Sequence, residues 1–237
     1  AIITVSHHAR DDILRVLRVP ANRVHVTYEA VDERFQPNGS KHELESVRDR
    51  YRLPDRFVLY AGGSERRKNL ETLIRAWSQI AEAMRRAEVK LVVVARFPAP
   101  DALYPDVPGL AASLGLEDVI FLPSVEEADK PALYRAALAF CFPSLYEGFG
   151  FPPLEAMASG VPTISSNAAS LPEVVGNGGL LLPPDSIGIW AEAIQHIVEC
   201  NADRQDLRRR GLAQAATFSW RRTAEETVRI YRTVLNQ

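Results

Sequence analysis

Short, uninterrupted apolar runs separated by amphipathic helical patterns restrict this sequence to one broad class of fold. The runs are Phe57–Ala61, Leu91–Ala95, Val119–Leu122, Leu138–Phe142 and Val161–Ser165. Continuous rather than alternating apolarity is what strands covered on both faces require. Between them, Asn69–Arg86 places Leu70, Leu73, Ile74, Trp77, Ile80, Ala81 and Met84 on one helical face. Ile189, Trp190, Ala193, Ile194 and Ile197 repeat that spacing, as do Ala224, Val228, Tyr231 and Leu235. Such alternation predicts an α/β fold, a doubly wound and mostly parallel sheet with right-handed crossovers. Ligands of such sheets bind at the carboxyl ends of the strands. The opening run IITVS and a helix from about Ala9 to Leu17 stand apart from this pattern, and Phe97–Pro108 reads as a surface loop.

Composition narrows the function. Of 237 residues, 46% are apolar and 24% charged, as in ordinary globular proteins that bury a large core. Lys and Arg total 28 against 30 Asp and Glu, a balance unlike the basic footprint of a nucleic-acid binder. The two cysteines, Cys141 and Cys200, show no metal-type spacing and imply a reducing compartment without a disulfide framework. No apolar run approaches the roughly 20 residues of a membrane helix. The start of the chain does not read as a signal peptide, and its abrupt strand-like opening reads as the middle of a larger protein.

The segment Ser144–Gly160, SLYEGFGFPPLEAMASG, carries the most chemistry. It leaves an apolar strand, forms a loop holding Glu147, and opens a helix with Glu155 about one turn in. Gly148 and Gly150 let the backbone pass close to a ligand, and Pro152 and Pro153 suit a first helical turn. Free N–H groups at such a helix start attract an anion. Two carboxylates beside it are better suited to sugar hydroxyls than to phosphate. Spacing alone is equally met by a joint whose glutamates face water, or by a glycosidase carboxylate pair.

A second loop, Tyr60-Ala61-Gly62-Gly63-Ser64-Glu65-Arg66-Arg67-Lys68-Asn69, also joins a buried strand to a helix. Gly62 and Gly63 clear space, while Arg67 and Lys68 bring two positive charges suited to a diphosphate. A solvated basic loop is the plainer reading of this segment taken alone. Both loops, however, leave the sheet at the same end.

YAGGSERRKNLETLI together with LYRAALAFCFPSLYEGFGFPPLEAMASGVPTISSNAASLPEVVGNGGLLLPPDS resembles the C-terminal domain of family 4 glycosyltransferases, one Rossmann-like half of a GT-B fold. The hallmark is a glutamate pair with seven residues between, here Glu147 and Glu155. The resemblance runs from about Val24 to the C-terminus, and ITVSHHARDDILRVL is similar to the end of the family's N-terminal domain. It implies three segments: 1–23 a remnant or linker, 24–220 the donor-binding domain and 221–237 a C-terminal helix. It places Arg67 and Lys68 at a diphosphate, Glu147 at the donor sugar, and the backbone of Gly148, Phe149, Gly150 and Phe151 along sugar and phosphate. Glu155 falls at the ribose, and Val125, Glu127 and Lys130 frame the base, although a charged solvent face explains that loop equally well. Many members carry Arg five residues before the lysine, where this chain has Gly63; Arg66 or Arg67 is the candidate substitute.

The resemblance further implies a metal-independent transfer of a hexose with retention, from a GDP- or UDP-hexose donor and with no separate cofactor. GDP-mannose is favoured because the RKN loop resembles bacterial mannosyltransferases of surface polysaccharide assembly. The acceptor, a saccharide or lipid-linked glycan, and a catalytic histidine are expected from an N-terminal half. His7 and His8 read instead as surface residues. A cytoplasmic location, with peripheral association of the full-length enzyme at the inner face of the membrane, is the corresponding expectation. The alternative is a nucleotide-sugar-binding module without catalysis of its own.

Overall fold

The computed structural model describes residues 1–235. Its elements run β1 (Ile2–Thr4), α1 (His7–Leu17), β2 (Val24–Val26), α2 (Lys41–Tyr51), β3 (Phe57–Ala61), α3 (Leu70–Arg86), β4 (Lys90–Val94), α4 (Val107–Ser113) and β5 (Val119–Leu122). They continue with α5 (Lys130–Ala136), β6 (Ala139–Phe142), α6 (Phe151–Ala158), β7 (Thr163–Ser166), α7 (Leu171–Val175), β8 (Leu180–Leu182), α8 (Ile187–Glu199), α9 (Asn201–Ala215) and α10 (Trp220–Leu235). Six strands form one sheet in the order β5-β4-β3-β6-β7-β8, and every pair in it is parallel. Renumbered from β3, that order is the 3-2-1-4-5-6 of a Rossmann-like doubly wound sheet. The expected half of a GT-B fold is therefore present. Its switch point lies between β3 and β6, the two strands whose loops carry the motifs.

Burial follows the apolar runs. All five residues of β3 and all four of β6 are buried. On α3, Leu70, Leu73, Ile74, Trp77, Ile80, Ala81 and Met84 are buried as the periodicity predicts, and the helix packs beside α8. On α8 the buried face is Trp190, Ala191, Ile194, Ile197 and Val198, while Ile189 is exposed. Its apolar stripe is rotated because Ala191 and Val198 replace Ile189 on the packed side. The stripe expected on the last helix is exposed: Val228, Tyr231 and Leu235 all face outward, and α10 has no buried residue. Periodicity gives an apolar face; it does not supply a surface for that face to cover. Strand β8 and helices α2 and α9 escape the sequence reading, because β8 spans only three residues and α9 has no amphipathic bias.

The chain's opening forms a small unit of its own, with β1 parallel to β2 in a separate two-stranded sheet. Val24, where the donor domain is expected to begin, is the first residue of β2 and pairs with Ile2. The unit is anchored to the motif loop. Ser6 caps α1 by accepting from Ala9 N at 3.0 Å and donates to the Gly148 carbonyl at 2.7 Å. Glu173, on α7, accepts from the backbone N–H groups of His7 and His8 and from the Tyr28 hydroxyl, each at 2.8 Å. A carboxylate at the first turn of α1 meets its unpaired N–H groups and its positive dipole end.

Candidate functional site

The loop after β3 reaches α3 through a 3-10 turn at Arg66–Lys68, followed by Asn69 in the left-handed region at φ 57°. Asparagine tolerates that conformation because its side chain finds local partners. Here its Nδ2 donates to the carbonyls of Pro143 at 3.1 Å and Pro184 at 2.7 Å, and its Oδ1 accepts from the Thr72 hydroxyl at 2.9 Å. Asn69 thus fixes the start of α3 to the chain leaving β6. Leu145 N donates to the Arg67 carbonyl at 2.7 Å, closing the two loops along their backbones.

Side chains complete the junction. Lys68 Nζ donates to Glu147 Oε1 at 2.6 Å, with both side chains about nine-tenths buried. The Ser144 hydroxyl donates to the same oxygen at 2.7 Å. Arg67, exposed, donates to Glu147 Oε2 at 3.3 Å and to the Tyr146 carbonyl at 3.1 Å. The Lys68 ammonium also stands 5.2 Å from the centroid of the Phe142 ring, a favourable face for a cation. Two cations and one carboxylate leave this cluster with a formal surplus of one positive charge.

Beside the cluster opens a cleft of about 980 Å³, lined by both ends of the switch point. Its walls include Gly62, Gly63 and Glu65 from the loop after β3, and Arg96 and Phe97 after β4. Val125, Glu127 and Lys130 come from the segment after β5, and Glu155 from α6. Gly63, Val125, Glu127, Lys130 and Glu155 are thereby brought together as expected neighbours, whereas Arg67, Lys68 and Glu147 follow on from the wall without lining it. Val125 is buried, and Glu127 is exposed and paired with Lys130 at 2.5 Å. Glu155 and Glu127 also line a second cleft of about 520 Å³, shared with Phe151, Asp32, Arg34 and Trp220.

Burial pushes the Glu155 carboxyl above the usual carboxylate range, partly offset by the Tyr134 hydroxyl, which donates to Oε2 at 2.8 Å. Tyr134 is itself buried, and burial next to Glu155 raises its own pKa well above the usual value, so it remains a donor. Gly150 adopts φ 132°, and a Cβ there would lie 2.9 Å from Leu171 Cδ2. Glycine is required at that bend both by conformation and by space. Pro152 and Pro153 remove two first-turn N–H groups of α6, so the donors facing the cleft side are fewer than an ordinary helix start provides. The Phe149 ring is buried against Tyr28, Phe151 and Phe218.

Position distinguishes the two candidate substitutes for the arginine. A Cβ at Gly63 would fall 2.0 Å from Glu65 Oε2, so the Glu65 carboxylate occupies the space such a side chain would enter. Arg66 turns away, donating to the Ala102 carbonyl at 2.9 Å, whereas Arg67 joins the Lys68–Glu147 cluster. Ser144, Asn69, Tyr134 and Ser170 are site residues that sequence spacing does not single out. Ser170 bonds the carbonyls of Glu147 and Phe149 at 2.9 and 2.5 Å and so fixes the glutamate loop from beneath. Tyr134 sits in the stretch LYRAAL, where it reads as one more core aromatic.

Among the described residues no helix is long and apolar enough to cross a membrane. Residues 45–214 match the family model described as "Glycosyl transferases group 1". The chain is 35% identical over 234 residues to O-antigen chain mannosyltransferase B of Escherichia coli, covering 98% of this chain and 60% of that protein. It is 36% identical over 228 residues to the serotype-specific mannosyltransferase WbdA of E. coli, covering 94% of this chain and 28% of the relative. The chain thus spans less than two thirds of either relative's length. Sucrose-phosphate synthase from Thermosynechococcus elongatus superposes with a TM-score of 0.82 at 26% identity, over 99% of this chain and 58% of that one. With its sheet order, its two switch-point loops and these matches in agreement, the chain belongs to the glycosyl transferases group 1 family.

Proposed function

We propose that this chain is the donor-binding half of a retaining hexosyltransferase that uses a nucleoside-diphosphate sugar, with mannose from GDP-mannose as the favoured group. The observation that carries the reading is the Lys68–Glu147–Arg67 cluster, which joins both switch-point loops beside a cleft large enough for a nucleotide sugar. The mannosyltransferase relatives support the choice of sugar.

Cleaving the anomeric bond leaves negative charge on the departing diphosphate and positive charge on the sugar. Arg67 and Lys68 supply fixed positive charge to the leaving group, and the buried contact with Glu147 holds the ammonium in place before reaction. Preorganised charge of this kind costs no reorganisation at the transition state. Glu155, with one oxygen held by Tyr134, keeps the other for a ribose diol. Val125, Glu127 and Lys130 frame the base. The acceptor, a saccharide or lipid-linked glycan, enters against the rest of the full-length protein.

The test is transfer by the full-length enzyme from labelled GDP-mannose and UDP-hexoses, with the product's anomeric configuration read by NMR. An α-linked mannoside is the expected product. A β-linkage contradicts retention, and transfer of a UDP-linked sugar only contradicts the donor assignment. Transfer by the 237-residue chain alone contradicts the half-enzyme reading.

A further inference from the structure

Helix α8 ends at Glu199 and α9 begins at Asn201, so Cys200 is the single residue at the corner between them. It caps both helices in an extended conformation, φ −97° and ψ 98°. His196 lies four residues earlier, in the last turn of α8, and Asp203 lies in the first turn of α9. The bend turns all three side chains to one side. The His196 ring nitrogen, the Cys200 sulfur and an Asp203 oxygen lie within 4.8 Å of one another, and His196 is hydrogen-bonded to Asp203.

We propose that His196, Cys200 and Asp203 form a binding site for a divalent cation of the zinc type. Imidazole nitrogen, thiolate sulfur and carboxylate oxygen are the three ligand types zinc takes, at about 2.0–2.3 Å. Tetrahedral bonds of that length separate ligand atoms by roughly 3.3–3.8 Å, so the present spacing closes on a cation by side-chain adjustment alone. A plain His–Asp ion pair accounts for two of the groups. The Cys200 side chain adds a hydrogen bond to the same carboxylate, and its sulfur decides the chemistry, since thiolate with imidazole selects zinc or cobalt over magnesium or calcium. His196 and Asp203 are exposed, which gives the ion an entry path and leaves a fourth position for water.

None of the three residues lines the donor cleft. The site therefore acts on structure rather than on glycosyl transfer. It braces the α8–α9 corner behind α3, which packs on α8 and whose first turn follows Lys68. The metal-free transfer expected from the donor site is independent of it.

The probe is Co2+ added to the intact chain, freed of any histidine tag, followed by competition with Zn2+. One equivalent should produce a thiolate-to-cobalt charge-transfer absorption that zinc abolishes, and zinc should raise the melting temperature. Cys200→Ser should lose that absorption while circular dichroism shows the fold retained, serine being a good residue at a helix start. His196→Ala and Asp203→Asn should each weaken zinc at least about tenfold, the loss expected even for a residue that only supports a ligand. No charge-transfer band in the wild type overturns the proposal. So does a band that persists in Cys200→Ser, or zinc affinity unchanged by both other substitutions.

Discussion

Lys68 Nζ and Glu147 Oε1, 2.6 Å apart, form a buried ion pair that ties the loop after β3 to the loop after β6 across the switch point. Each charge has the other as its nearest compensation. Removing one partner of a buried pair costs about 3–5 kcal/mol, while replacing both with apolar groups is often close to neutral. Arg67 and Ser144 still reach Glu147 when Lys68 is lost, which places Lys68→Met at about 3 kcal/mol, the low end of that range. Urea unfolding should show the Lys68→Met/Glu147→Leu double variant recovering most of this loss. Additive losses in the double variant would mean that the pair is not coupled.

Glu155 combines a burden on stability with the binding role proposed for it. Burial raises its carboxyl pKa, so the folded chain holds the proton more tightly than the unfolded chain does. Stability from this group is therefore greatest at low pH and declines as pH rises from the ordinary glutamate value through the raised one. Glu155→Gln removes that slope, and at neutral pH it should match or exceed the wild type in melting temperature. The same variant should bind nucleoside diphosphates more weakly whatever the base. A lower melting temperature with unchanged affinity would reverse both assignments.

Tyr134→Phe deletes only the hydroxyl that donates to Glu155. That hydrogen bond lowers the Glu155 pKa, so its loss should move the pH dependence of nucleotide binding upward. Affinity at neutral pH should fall about tenfold, the low end for a hydrogen bond to a charged group at about 1.5–3 kcal/mol. A shift in the pH profile separates positioning from general loosening of the core. An unshifted profile contradicts the positioning role.

Gly150→Ala meets both a forbidden backbone angle and a 2.9 Å contact with Leu171 Cδ2. Strain at such a position costs on the order of 1–3 kcal/mol. Thermal unfolding should show the loss, with nucleotide affinity falling as the bend before α6 relaxes. Wild-type stability in this variant would mean that the bend is not needed.

Much of this was legible in the sequence, for identifiable reasons. The run FVLYA has the bounds of β3, because a strand covered on both faces must be apolar throughout, and VIFL has those of β5, an edge strand whose four residues are half-buried. Elsewhere the ends shift by one or two residues, as where Leu138 and Val161–Pro162 remain outside β6 and β7. Gly63, Val125, Glu127, Lys130 and Glu155 fall together because strand ends converge on one edge of the sheet. The pairing of Lys68 with Glu147 was not legible, since their 79-residue separation closes only through the β3–β6 register. Tyr134 was hidden for a related reason: its ring reads as core, and only the fold shows its hydroxyl reaching Glu155. The stripe on α10 misled because amphipathicity describes the helix, not its neighbours.

The proposed donor site requires that this chain hold a nucleoside diphosphate at the β3–β6 switch point. Calorimetric titration of the chain with GDP, UDP and guanosine measures this. One equivalent of GDP should bind, more tightly than guanosine, and Arg67→Ala should narrow that gap by weakening GDP and leaving guanosine unchanged. No heat with any nucleoside diphosphate, or equal losses for GDP and guanosine in Arg67→Ala, would contradict it.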